Sequence, residues 1–163
     1  MANNILVSVE DNLAEPIWIN KIEPFLQKVM NFASFDGEEI SVLFCTDAFI
    51  RQLNAQFRNI DEATDVLSFE NGDSYIDDEG QKWIQAGDIA ISLETLPKNA
   101  EYFAVSPDEE LKRLLIHGLL HLNGYDHGDE HVTPDVEGEC EMFKIQKRLL
   151  EQVQDYHILE ELE

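Results

Sequence analysis

Three of the chain's five histidines fall within one short stretch, Ile116-His117-Gly118-Leu119-Leu120-His121-Leu122-Asn123-Gly124-Tyr125-Asp126-His127. His117 and His121 are four apart, which on a helix sets both side chains on one face, one turn apart. Gly124 lets the chain leave that helix through a left-handed residue, and the turn carries His127 back toward the first two. Imidazole nitrogen suits zinc, and three protein ligands with a fourth position open make a catalytic rather than a structural site. The open position takes water, whose pKa a zinc ion lowers to about 7. The expectation is one Zn2+ per chain on His117, His121 and His127, serving hydrolysis or a related attack on an electrophilic carbonyl or phosphorus.

The spacing equals the metzincin zinc signature H-x-x-x-H-x-x-G-x-x-H, with Gly118 where those peptidases carry their catalytic Glu. A peptidase needs a base to pass the water proton to a poor amine leaving group, and glycine offers none. Asp126 is close in sequence to the ligands. It either orients a ligand and moves a proton, or caps the helix exit as a turn residue. Met142 follows the histidines but falls on a predicted helix rather than in a turn, which argues against the metzincin Met-turn. A metallopeptidase with a metzincin-like zinc site stays as an alternative.

These residues need a helix and a cleft. Ser106-Pro107-Asp108-Glu109 is a helix start, with Ser as N-cap, Pro at the first helical position and Glu three after the cap. The helix runs to about Leu122, with Leu111, Leu115, Leu119 and Leu122 as its buried stripe. His117 and His121 fall beside that stripe next to Leu114, at the border of core and solvent. Upstream, Ile5 to Glu10 alternates as a strand, and Trp18, Ile22, Phe25, Leu26 and Val29 fit a helix whose first turn holds Pro24. Ile40, Val42 and Phe44 mark a second strand, and Asp47 is the expected N-cap of a short helix through Leu53 to Phe57. Residues 59–65 read as a loop, and Val66 to Phe69 as a short apolar strand. Residues 71–82 are turn-rich and acidic. Their carboxylates miss the alternation a calcium loop needs, so they read as a solvated hairpin loop. Ile84 to Leu93 forms a strand, Leu96 to Phe103 a short helix, and Thr133-Pro134 starts a last helix with Val136, Cys140, Phe143 and Leu150 inward. The fold class expected is α/β (α+β): one mixed sheet of about four strands packed with about five helices, including the metzincin-like zinc helix.

At 163 residues the economical organisation is one domain spanning 1–163. A chain of this length buries roughly 68–70% of its unfolded surface and needs no disulfide staple. Cys45 and Cys140 sit in apolar-patterned segments and read as reduced core residues of a cytosolic chain. Met1-Ala2-Asn3-Asn4 has no basic or apolar region of a secretory signal, and no apolar run reaches the roughly 18 residues of a membrane span, so a cytoplasmic protein without a membrane partner is expected. Eleven Lys and Arg stand against 34 Asp and Glu, a net charge of -23. A salt-driven grip on nucleic acid needs a Lys/Arg face, which this composition can supply only locally or through a partner.

The histidine block as a whole resembles that of the bacterial YbeY family of zinc-dependent endoribonucleases. A second block, Leu53 to Phe69, is similar to the family's L-N-x-x-(Y/F)-R-x-x-D-x-x-T-D-V-L-S-F segment, and Gly87-Asp88-Ile89-Ala90-Ile91-Ser92 to its G-D-I strand. The blocks occur in the family's order. Ala63 departs from it, standing where many members have Pro. The resemblance implies a single α/β domain, a metal on His117, His121 and His127, and single-strand cleavage of RNA. The RNA implied is ribosomal, in maturation of the 16S rRNA 3′ end and in ribosome quality control. The ribosome or a ribosomal protein is then the expected partner. It also implies a catalytic role for Arg58, which would hold a phosphate and stabilise charge developing on it. Asp61, Thr64, Asp65 and Ser68 match too, but Thr64 and Asp65 equally suit loop capping. A ribosome-associated protein with a purely structural zinc is the third reading. His131 and His157 lie outside the matched blocks and read as solvated surface histidines.

Overall fold

A computed structural model describes residues 3–127 and 140–159. Four strands, β1 (Asn4–Val9), β2 (Glu38–Cys45), β3 (Val66–Ile76) and β4 (Lys82–Ser92), form one sheet in the order β1-β2-β4-β3. β2 pairs in parallel with both β1 and β4, while β3 runs antiparallel to β4 along one edge. Five helices accompany them among the described residues: α1 (Ile22–Phe32), α2 (Asp47–Arg58), α3 (Thr95–Phe103), α4 (Pro107–Leu122) and α5 (Glu141–Gln152). The expected mixed four-stranded sheet with five helices is what forms.

Strand alternation divides the core between two faces. Ile40, Val42, Phe44, Ile89 and Ile91 pack with Phe25, Leu26 and Val29 of α1 and with Leu111, Leu115 and Leu119 of α4. On the other face Cys45 and Ala90 pack with Ile50 of α2, flanked by Leu43, Leu53 and Leu67. α4 is buried on more than its leucine stripe. Gly118 is one reason: a Cβ there would lie 3.0 Å from the Ile89 side chain, so glycine lets the helix settle onto β4. Gly87 is another, with φ of 142° and with the Phe69 carbonyl oxygen 2.1 Å from where a Cβ would stand. No other residue lets β3 approach β4 at that point.

Several local expectations are corrected. Trp18 precedes α1 and a 3-10 turn, Ile19–Lys21, joins the two, with Pro24 in the first turn of the helix. The cap of α2 is Thr46, whose side chain accepts the Phe49 N–H at 3.2 Å, not Asp47. The Asp47 carboxylate instead accepts the Ser92 and Thr95 hydroxyls at 2.5 and 2.6 Å. The stretch 71–82 is not mostly loop. β3 and β4 continue as a paired arm as far as Ile76 and Lys82, and the turn is confined to the residues between them. His157 is exposed, as expected, but its Nδ1 lies 3.1 Å from the Asp108 carboxylate. That carboxylate also accepts the Ile158 and Leu159 N–H groups at 2.7 and 2.8 Å, tying the last described segment to the start of α4. The expected helix start at Thr133-Pro134, with Val136 and His131, lies outside the described residues; α5 is described from Glu141, after Cys140 as N-cap.

Neither cysteine is in a disulfide; Cys45 is fully buried and Cys140 half-buried. Burial pushes the Cys45 thiol up to about 12, helped by the nearby Glu10 and Asp47 carboxylates, so it holds its proton and stays unreactive. Among the described residues no helix is long and apolar enough to cross a membrane.

Candidate metal centre

The centre is assembled by the start and the end of α4. Ser106 opens the helix, its side chain accepting the Glu109 N–H at 3.1 Å, with Pro107 in the first turn. The apolar stripe then holds α4 to the sheet and leaves His117 and His121 half-buried at its rim. Asn123 ends the helix, its Nδ2 donating to the Leu119 carbonyl and to the Glu38 carboxylate, both at 3.1 Å. Gly124 follows with φ of 89°, where L side chains are strained, and the Tyr125 N–H closes on the Leu120 carbonyl at 3.0 Å. That turn brings His127 to the other two. One nitrogen from each of His117, His121 and His127 lies within 4.8 Å of the others.

Hydrogen bonds decide which nitrogens face inward. The His121 Nδ1–H donates to the Tyr125 carbonyl at 3.1 Å, and the His117 Nδ1–H to Oε1 of Gln146 on α5 at 2.9 Å. Each neutral ring then presents its Nε2 lone pair to the other across 3.1 Å. Both rings are neutral at pH 7. Burial pushes His117 down to about 3, with the neighbouring His121, Arg113 and His127 adding to the fall and the Gln146 contact opposing it. His121 is lowered chiefly by burial and by His127, against the Tyr125 carbonyl, Asp126 and Glu70. Two lone pairs facing each other repel unless a cation lies between them. Two ligands of a tetrahedral ion with bonds of roughly 2.0–2.1 Å stand roughly 3.3 Å apart, close to the spacing found. His127 stacks on Phe143 at 5.2 Å and 20°, which fixes its ring plane. The donor set fits a zinc-type ion. Gln146→Leu is expected to weaken metal binding by roughly 10- to 100-fold, because His117 loses the partner that sets its tautomer; competition with a zinc chelator measures it.

The histidines form part of the wall of a cleft of about 920 Å³ that also takes in Arg58 from the end of α2, Ser68 from β3 and Tyr102 from α3. Arg58 is exposed, donates to the Ser68 carbonyl, and lies over the Phe69 ring at 5.4 Å. The four site residues expected from sequence therefore share one cleft. Asp126 lines it too and is exposed. Asp65 is a brace: its carboxylate accepts the Val66 N–H at 2.7 Å, the Asn99 amide at 2.6 Å and the Thr64 hydroxyl at 3.3 Å. Position 118 faces Ile89 in the core.

Sequence reasoning missed three neighbours. Arg113, one turn before His117, is held by two bonds of 2.8 and 2.6 Å to the fully buried Glu110 and lies over Phe103 at 4.7 Å. The helical period that paired His117 with His121 also places Arg113 on that face, so a signal existed. Gln146 and Phe143 come from a separate helix, and nothing local to either marks it.

A family model described as Endoribonuclease YbeY matches residues 6–154. The chain is 48% identical over 158 residues to the Endoribonuclease YbeY of Treponema denticola, covering 97% of this chain and 98% of the relative. It is 46% identical over 150 residues to that of Treponema pallidum, covering 92% and 89%. A solution structure of a Thermotoga maritima protein superposes with a TM-score of 0.61 at 29% identity, covering 93% of this chain and 89% of that one.

Proposed function

The chain belongs to the endoribonuclease YbeY family, and from that premise we propose that it is a zinc-dependent endoribonuclease cutting single-stranded RNA. Its place would be ribosomal RNA maturation, at the 3′ end of the small-subunit RNA, and ribosome quality control in the cytoplasm, as one domain spanning the chain. The observation that carries the reading is the convergence of three imidazoles beside an exposed arginine in one open cleft.

His117 and His121 would hold the ion through Nε2, with His127 as third ligand, and Gln146 and the Tyr125 carbonyl would orient the first two rings. When bound, zinc supplies Lewis acidity toward water and toward a phosphate oxygen. The chain's own residues do the rest. Arg58 is exposed in the cleft wall, and a planar guanidinium there can clamp a phosphate through two parallel bonds and stabilise charge gathering on it. Phe69 beneath it and the Ser68 carbonyl beside it fix its direction. The acidic surface makes unaided capture of naked RNA weak, so the ribosome or a ribosomal protein would present the substrate.

The test is cleavage of a single-stranded oligoribonucleotide by zinc-loaded protein. Arg58→Ala is expected to lower kcat/KM by about 10²-fold, and Arg58→Lys to recover only part, because a point charge cannot grip two phosphate oxygens in one plane. Absence of zinc-dependent cleavage by the wild type, with or without ribosomes, would sink the reading.

A further inference from the structure

The cleft contains an aromatic side chain that neither the metal site nor the core uses. We propose that Tyr102 is the stacking platform for one unpaired base of the RNA whose backbone passes the metal centre. The proposal rests on the endoribonuclease reading and adds how the substrate is gripped.

Tyr102 lines the same cleft as the three histidines, yet 58% of its surface is exposed. A tyrosine kept for packing would be covered. The other rings of that lining are engaged: Phe143 stacks on His127, Phe103 is half-buried under the Arg113 guanidinium, and Tyr125 packs against the core. Tyr102 alone among these described rings offers substantial free surface. It is also held in place. Its ring meets Phe103 edge-on at 5.0 Å and 78°, and Arg113, over Phe103, is anchored by buried Glu110. A ring seated this way loses little freedom when a base lies on it.

The charge balance says why such a platform is needed. The cleft's arginines, Arg58 and Arg113, share the lining with Asp65, Glu70 and Asp126, Arg113 lying 3.9 Å from the Asp65 carboxylate, and the chain as a whole carries -23. Arg113 is already committed to Glu110. Phosphate contacts beyond that of Arg58 therefore supply little of the affinity. Stacking does not depend on charge, works on any base, and requires a base free of its partner, so it favours single strands.

The experiment uses the full zinc-loaded chain and a single-stranded oligoribonucleotide, with a series in which one residue at a time around the cut is abasic. Tyr102→Ala is expected to lower kcat/KM roughly 5- to 150-fold, the worth of one stacked base, and Tyr102→Phe to restore it, with unchanged zinc content and melting temperature in both. The Tyr102→Ala loss should vanish on one abasic substrate, the one lacking the base that stacks. Cleavage equally fast in Tyr102→Ala, or a loss that is the same on every abasic substrate, would overturn the platform and leave the endoribonuclease standing. Failure of the wild type to cut any single-stranded RNA would overturn both.

Discussion

His121→Ala is expected to empty the metal site and to lower RNA cleavage by roughly 10³-fold or more, while the helix content stays that of the wild type. Removing one fixed electrostatic donor from an active site costs roughly 10²–10³ in rate, and this variant removes the cation that organises the whole centre. The fold should survive because His121 is half-buried at the rim of α4, whereas the core is carried by Leu111, Leu114, Leu115, Leu119 and the strand residues beneath them. Truncating a rim side chain opens space to the cleft rather than a sealed cavity. Metal content by mass spectrometry and far-ultraviolet circular dichroism, read on the same sample, decide the matter. Gross unfolding of the variant would favour a structural zinc, as in domains that fold only on metal. Full metal content with normal cleavage would remove His121 from the ligand set.

Gly118→Glu is the second large effect, and it concerns stability. The metzincin comparison invites the idea that restoring the carboxylate would restore a peptidase. The structure places that position against Ile89, which is 1% exposed, with only 3.0 Å to a first side-chain carbon. Gly118→Ala should be nearly neutral to about 2 kcal/mol destabilising, since overpacking of about 1–3 kcal/mol is offset by about 1 kcal/mol of helix propensity. Gly118→Glu adds a carboxylate with no partner in an apolar contact, and should cost more than about 4 kcal/mol. Denaturant melts of the two variants beside the wild type measure the difference. A well-folded Gly118→Glu protein with activity on peptides would revive the peptidase alternative, which nothing in the cleft otherwise favours.

The elements written in local rules were legible. The Ser106 cap with Pro107, the 3.6-residue period of α4 and the alternation of β2 each depend on groups a few residues apart, and each formed as expected. So did the pairing of His117 with His121, which only needs a helix, and the return of His127, which only needs a turn at Gly124. The β3–β4 arm was not legible. The outer half of β3 is exposed on both faces, so no burial alternation marks it, and its ladder is made with a partner strand rather than by its own composition. Thr46 and Asp47 are both able caps. Only Ser92 and Thr95, distant in sequence, draw the Asp47 carboxylate away and leave the cap to Thr46.

The same division runs through the site. Residue types and spacing brought three imidazoles together and with them the expectation of a metal ion and of hydrolysis. Tertiary structure alone decided that Gln146 would set the His117 tautomer, that Phe143 would stack on His127, and that Tyr102 would stand exposed inside the cleft. Ligand spacing is a local property of one helix and one turn. The Tyr125 carbonyl of that turn orients His121, but the His117 tautomer and the access to the site are set by what packs against the helix, and those neighbours come from α2, α3 and α5, brought there by burial of apolar surface that carries no record of the chemistry it assembles.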